Sequence, residues 1–196
     1  CYTQSVFQFS LHIEKEPGKC DKEKDHYEYL AIDHQDRREE LIKKMVEWID
    51  TESGGTILVY NESFEKTRLK ELGEIFSQYK VKLNKMREMI FDLMYIVKTN
   101  SKLYKELGYN DNEAKMFNYY HEDMTGSFSI KKILPLFSNL TYKGMEIANG
   151  VEALVAYANF PKLDKPDYEH KYRKLVEYCK QDTWAMVEIL KGLRKM

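Results

Sequence analysis

A short and almost wholly apolar run, TILVY at residues 56–60, is the strongest indication of fold class in this sequence. Its β-rich side chains suit a buried central strand, which has both faces covered. Apolar residues then recur at helical spacing from about Phe64 to Tyr79. A buried strand that passes directly into a helix is typical of α/β proteins. We therefore predict an α/β domain with a mixed sheet flanked by helices.

Further strands and helices are predicted on both sides of this unit. Residues 6–13 and 26–32 suit two strands joined by a charged loop that contains Pro17 and Gly18. Residues 84–100 are apolar and predicted to be helical or mixed, and residues 105–126 to be rich in loops. Helices are predicted at 36–50, 64–79, 127–137 (ended by Pro135) and 149–160, and a last one follows a loop punctuated by Pro161 and Pro166.

The composition limits the class of protein. The chain has 196 residues, 43% of them hydrophobic and 32% charged, which predicts one soluble domain over residues 1–196. No apolar run is long enough to cross a membrane, so no membrane partner is expected. Three scattered cysteines and five histidines show no ligand spacing, which favours a cytoplasmic protein without a zinc site. The first residue is Cys1, and we expect an N-terminally truncated fragment of a longer protein.

An acid interrupts the apolar face of the predicted C-terminal helix. Steps of three and four residues trace that face, and Asp182 is its only charged member. An uncompensated buried charge would cost several kcal/mol, so Asp182 needs a partner. The partner could be a metal ion, a backbone amide, or a basic side chain in a salt bridge, for instance Arg173 or a lysine from another element. The face comprises Tyr168, Tyr172, Leu175, Cys179, Asp182, Met186, Ile189 and Leu193.

A second candidate site lies where the buried strand passes into its helix. Asn61 falls in the turn, and Glu65 falls in the first helical turn, at the edge of the sheet where α/β proteins usually bind ligands. Each residue also has a structural explanation. Asn61 suits a turn or helix cap, and an acid in a first turn is favoured by the helix dipole. Tyr178, one turn before Asp182, suits a partly buried aromatic residue equally well.

Together these residues resemble a known pattern. Asn61-Glu62-Ser63-Phe64-Glu65 and Tyr178-Cys179-Lys180-Gln181-Asp182 are similar to the second and third motifs of DEDDy-type 3′–5′ exonucleases, in the DnaQ-like branch of the ribonuclease H-like superfamily. The blocks FQFSLHI, YNESFEKTRLKEL, GSFSIKKILP and YCKQDTWAM also resemble those of an uncharacterised bacterial family, a domain of unknown function placed within that branch. This second resemblance covers nearly the whole chain.

The resemblance implies a ribonuclease H-like fold and a site with two Mg²⁺ or Mn²⁺ ions, which prefer carboxylate oxygen ligands. It implies metal ligation by Glu65 and Asp182 and a water-orienting role for Tyr178. Asn61 and Lys131 would bind substrate, although a turn and a solvated helix face explain them too. The family's first motif, an acid pair on the first strand, is missing here, and Glu65 replaces the usual aspartate. We therefore expect this fragment to lack its first strand and to be inactive alone.

Three functions follow as hypotheses. The first is metal-dependent hydrolysis of phosphodiester bonds at single-stranded DNA or RNA 3′ ends, in a full-length protein that could carry other nuclease domains upstream. The net charge of −1 does not oppose this, since gripping a few nucleotides requires little basic surface. The second is a non-catalytic module that binds nucleic acid or protein on the same fold. The third is an α/β domain in which Asp182 is salt-bridged.

Overall fold

The computed structural model describes residues 5–196, and its first two strands form a hairpin. Strand β1 (Gln8–His12) pairs antiparallel with β2 (His26–Leu30), with Gln8 opposite Leu30 and His12 opposite His26. Both strands were predicted, with longer bounds. Cys1 lies outside the described residues. In the described part of the chain no helix is long and apolar enough to cross a membrane.

A second pair of strands is parallel. Strand β3 (Ile57–Val59) is the predicted buried strand, and it pairs with β4 (Ile90–Asp92), with Val59 opposite Asp92. Strand β4 lies within the segment predicted as helical or mixed. It has only three residues and is held by hydrogen bonds to a distant strand, which periodicity along the sequence does not report.

The α/β class is confirmed, but the sheet differs from the one predicted. Among residues 5–196 the strands form two separate two-stranded sheets rather than a single mixed sheet. Helix α1 (Arg38–Trp48) contacts both. Its Trp48 ring packs on Phe9 of β1, and its Ile42 belongs to the same buried cluster as Val59 of β3. One helix therefore ties the hairpin to the parallel pair.

Prolines account for two corrected helix boundaries. Helix α6 (Ile130–Phe137) does not end at Pro135, which is its sixth residue, so one intrahelical hydrogen bond is lost without ending the helix. Pro166 lies in the first turn of α8 (Lys165–Leu193), where a missing N–H costs nothing. The remaining helices are α2 (Glu62–Ile75), α3 (Lys80–Met89), α4 (Met94–Val97), α5 (Ser101–Glu106), α6 (Ile130–Phe137), α7 (Gly150–Ala158) and α8 (Lys165–Leu193).

Helix α8 organises the molecule because it packs against elements on more than one side. The hairpin covers one side: Gln8 Nε2 donates to the Leu175 carbonyl at 2.9 Å, and the Thr183 hydroxyl is hydrogen-bonded to Ser10 at 3.1 Å and His12 at 2.9 Å. On another side Ile189 is buried in a cluster that includes residues of α6. Residues of α8 outside the predicted face, among them Ala185, are therefore buried too.

Helices α6 and α8 meet closely at Gly192. A Cβ at this position would lie 2.4 Å from Phe137 Cδ1 and 2.8 Å from Phe137 Cβ. We expect Gly192→Ala to lower the free energy of unfolding by about 1–3 kcal/mol, the usual cost of overpacking. Gly73 in α2 is a matched control, because a Cβ there would meet nothing closer than Lys80 Cα at 3.5 Å.

Urea unfolding of both variants tests this close contact. Gly73→Ala should raise the free energy of unfolding by about 0.5–1 kcal/mol, since alanine restricts the unfolded chain and favours a helix. Stabilisation by both substitutions would contradict the close packing of Gly192 against Phe137.

Candidate active site

The turn between β3 and α2 is built around a buried carboxylate. Asp92, at the end of β4, is only 2% exposed. It accepts hydrogen bonds from the backbone N–H groups of Asn61 at 3.1 Å, Glu62 at 2.9 Å and Met94 at 2.9 Å. Asp92 thus fixes the start of α2, and with it the position of Glu65. Asp92 is not among the site residues predicted from the sequence, although it is a lone acid in the apolar run MIFDLM.

Asn61 serves mainly as a turn residue. Its φ of 77° places it in the left-handed region, which asparagine tolerates better than most residues. It occupies the N-cap position of α2, but its side chain makes no capping hydrogen bond and instead accepts one from the Ser63 hydroxyl at 2.9 Å. Its role in the turn therefore accounts for this residue. Its side chain is exposed, so a contact with a substrate stays a prediction.

Glu65 lies in the first turn of α2 with its carboxyl group largely buried. Its Oε2 atom has no hydrogen-bond partner among the described residues. Burial raises the pKa of Glu65 to about 7, against the opposing effect of a hydrogen bond from its own backbone N–H, and the negative charges of Asp92 and Asp182 add to the rise. The fold therefore brings Asp182, 117 residues away in sequence, near enough for its charge to act on Glu65.

Asp182 is partly buried on α8 without a strong counter-charge. Burial raises its pKa, while the nearby hydroxyl groups of Tyr142 and Tyr178 and the charge of Lys131 oppose the rise. The ion pairs of this helix involve other acids, and in the described part of the chain Asp182 forms no salt bridge. The predicted alternative partner, Arg173, is exposed and does not pair with it.

Tyr178 lies one turn before Asp182, as predicted. Burial raises the pKa of the Tyr178 phenol, and the charge of Asp182 raises it further. Tyr142, in the segment between α6 and α7, approaches Asp182 as well. It is 5% exposed, and its hydroxyl has no well-oriented hydrogen-bond partner among the described residues. Tyr142 was missed because no sequence pattern relates a loop residue to a helix 40 positions away.

Lys131, the predicted substrate-binding lysine, lies in the first turn of α6. Its Nζ atom is 5.6 Å from the centroid of the Tyr142 ring, and its charge lowers the pKa of Asp182. The side chain is exposed, so it balances the acid at a distance rather than pairing with it. The structure thus brings together Glu65, Asp182, Tyr178 and Lys131, four of the five predicted residues, and leaves Asn61 in the adjoining turn.

The acid pair suits a hard divalent cation but does not make a complete metal site. Glu65 and Asp182 supply the carboxylate oxygens that Mg²⁺ and Mn²⁺ prefer. Asp92 is near but is engaged by three backbone amides. Within residues 5–196 no group of three or more histidines, cysteines, aspartates or glutamates is arranged to hold a metal. Further ligands would have to come from elsewhere.

Sequence comparisons identify uncharacterised relatives. The chain is 24% identical over 212 residues to uncharacterized protein UU173 of Ureaplasma parvum, which covers all of this chain and 28% of that protein. It is 27% identical over 205 residues to uncharacterized protein MG366 of Mycoplasma genitalium, which covers 96% of this chain and 28% of the relative. The chain therefore spans less than a third of the length of these relatives.

No solved structure matches the chain. A family profile described as a domain of unknown function, DUF2779, matches residues 1–129, which is more than half of the sequence. The predicted resemblance to an uncharacterised domain family is confirmed at this level. The chain belongs to the DUF2779 family of domains of unknown function.

Proposed function

We propose that this chain is part of a DEDDy-type, ribonuclease H-like 3′–5′ exonuclease that hydrolyses single-stranded DNA or RNA. The observation that carries the proposal is that Glu65 and Asp182, from two helices distant in sequence, both have a raised pKa, that the charge of Asp182 acts on Glu65, and that neither acid forms a salt bridge with a described residue. Two like charges that are partly buried near one another destabilise the metal-free fold, and a bound cation would remove that cost.

Glu65 and Asp182 would hold Mg²⁺ or Mn²⁺, which when bound supplies Lewis acidity to a phosphodiester. The other roles fall to side chains around the pair. The Tyr178 hydroxyl, beside Asp182, would orient the water that attacks phosphorus. Lys131 would contact a phosphate oxygen. As the water oxygen bonds to phosphorus, the bond to the neighbouring 3′ oxygen breaks, and that oxygen takes up a proton.

A further strand would complete both the fold and the site. The family resemblance expects an acid pair on a first strand upstream of β1, and the two small sheets suggest where that strand would pair. Lying between β1 and β3, it would join them into one mixed sheet. Its acids would then reach the same edge as Glu65 and supply the ligands that this chain lacks. By this proposal the chain alone binds metal weakly and is inactive.

The test uses the full-length protein. Single-stranded DNA and RNA, labelled at the 3′ or the 5′ end, are incubated with Mn²⁺ and sampled over time. We expect 5′-labelled strands to shorten stepwise, and 3′-labelled strands to release a labelled mononucleotide at once. Cleavage at internal positions, or shortening from the 5′ end, would contradict the proposal.

One observation favours the alternative of a non-catalytic module. Among the described residues no group of three or more potential ligands is arranged to hold a metal, whereas a two-metal site needs several. If the full-length protein binds single-stranded nucleic acid but degrades neither DNA nor RNA, while remaining folded, the module is the better description. Absence of an acid pair on a hydrophobic strand just upstream of residue 1 would support the same conclusion.

A further inference from the structure

Two adjacent backbone segments carry an exposed lysine and an exposed tyrosine. The Tyr119 N–H donates to the Val97 carbonyl at 3.0 Å, and the Thr99 N–H donates to Asn118 Oδ1 at 3.3 Å. Residues 97–99 therefore run alongside residues 118–120. This pairing places Lys98 and Tyr120, both exposed, on adjacent segments of the chain.

The lysine of this surface is linked to the candidate site through aromatic residues. Lys98 Nζ lies 5.9 Å from the centroid of the Phe128 ring. The Phe128 carbonyl accepts a hydrogen bond from the Tyr60 hydroxyl at 2.5 Å. Tyr60 directly follows β3 and precedes Asn61, and the charge of Asp92 acts on its phenol. The Lys98 surface thus adjoins the turn from which α2 and Glu65 begin.

Core packing explains Tyr119 but not Tyr120. The Tyr119 ring lies 5.6 Å from Phe137, centroid to centroid, and so anchors the segment. Tyr120 is 82% exposed, so little of its ring is packed against the described residues. Lys98 is also exposed and forms no salt bridge with another described residue. Both side chains are therefore available to a ligand.

We propose that Lys98 and Tyr120 form a binding surface for the strand that enters the candidate site, with Lys98 contacting a phosphate and Tyr120 stacking on a base. An exposed cation beside an exposed aromatic ring is the chemistry that proteins use to hold single strands without reading their sequence. Lys131 of α6 and Lys98 of the segment after α4 would then each contact a phosphate. This inference rests on the proposed nucleic-acid function and identifies where its substrate lies.

The test is binding of a fluorescent single-stranded oligonucleotide to the full-length protein in EDTA, which prevents metal-dependent hydrolysis, over a series of salt concentrations. Lys98→Gln should weaken binding and reduce the slope of log affinity against log salt by about 0.7, the value for one phosphate contact on a single strand. Tyr120→Ala should weaken binding about 5- to 100-fold and leave the salt slope unchanged. Tyr120→Phe should bind like the wild type.

Matched controls come from the same part of the chain. The control for Lys98→Gln is Lys105→Gln, because Lys105 is paired with Asp111 at 2.8 Å. The control for Tyr120→Ala is Met116→Ala, because Met116 is 79% exposed but not aromatic. Both should bind nearly normally. If the wild type binds and Lys98→Gln and Tyr120→Ala bind as tightly as the controls, the surface is wrong while the proposed function stands. If the wild type does not bind single strands at all, the proposed function and this inference both fail.

Discussion

Asp182→Asn should abolish the stepwise 3′ shortening of nucleic acid by the full-length protein, with a loss of more than about 100-fold. Loss of residues that merely orient metal ligands costs about 10- to 100-fold, and losing a ligand itself should cost more. The substitution keeps the size of the side chain and removes its negative charge. Rates measured over a range of Mn²⁺ concentrations should show no recovery at high metal, because asparagine offers a single neutral oxygen.

Glu177→Gln is the matched control for this loss. Glu177 lies on the same helix five residues earlier, is exposed, and pairs with Lys174 at 2.8 Å on the surface. Exposed pairs contribute about 0–1 kcal/mol, so the control should fold and retain its activity. Full activity of folded Asp182→Asn would remove the basis for a metal at this position. Equal loss in both variants would point to damage of α8 rather than of a site.

The sequence was most informative where an acid interrupts a regular apolar pattern. Asp182 was found because α8 is long and its face is otherwise apolar, and Glu65 because it follows a strongly β-type run. Tyr178 was then identified by its spacing from Asp182. These are local properties of single elements. In the structure the charge of Asp182 acts on Glu65, and Asp182 forms no salt bridge within the described chain.

The residues that were missed depend on contacts between distant segments. Strand β4 has three residues, and its pairing with β3 explains why Asp92 lies beneath the turn at Asn61. Tyr142 belongs to a segment without periodicity, and only the fold brings it to Asp182. The division into two sheets could not be predicted either, because the pattern of a strand indicates that it is a strand and not which strand it pairs with.

Glu65→Gln should change activity and metal-free stability in opposite directions. As a proposed ligand, Glu65 should be needed for hydrolysis, with a loss of more than about 100-fold as at Asp182. In EDTA, however, its carboxylate destabilises the fold. Its pKa rises from 4.5 in the unfolded chain to about 7 in the folded protein, so the folded state binds the proton more tightly between these values. The free energy of unfolding therefore falls as pH rises from 4.5 to 7.

Glutamine is neutral throughout this range, so the variant and the wild type should have similar stability near pH 5 and diverge above it. At pH 8 in EDTA we expect Glu65→Gln to be more stable by about 1–2 kcal/mol, allowing for partial screening by solvent. Chemical denaturation at pH 5 and pH 8 measures the difference. Glu74→Gln, on an exposed site of the same helix, is the control and should show no such dependence on pH.

The combination of the two results carries more weight than either result alone. If Glu65 stabilised the fold, Glu65→Gln would lower the free energy of unfolding at every pH. Mn²⁺ would then not change the difference in stability between the variant and the wild type. A metal ligand should instead destabilise the fold without metal and stabilise it with metal bound. Mn²⁺ should therefore raise the melting temperature of the full-length wild type and not that of Glu65→Gln. Destabilisation by Glu65→Gln at pH 8 in EDTA would mean that Glu65 is held by native contacts, and the cation-binding role of the acid pair would have to be abandoned.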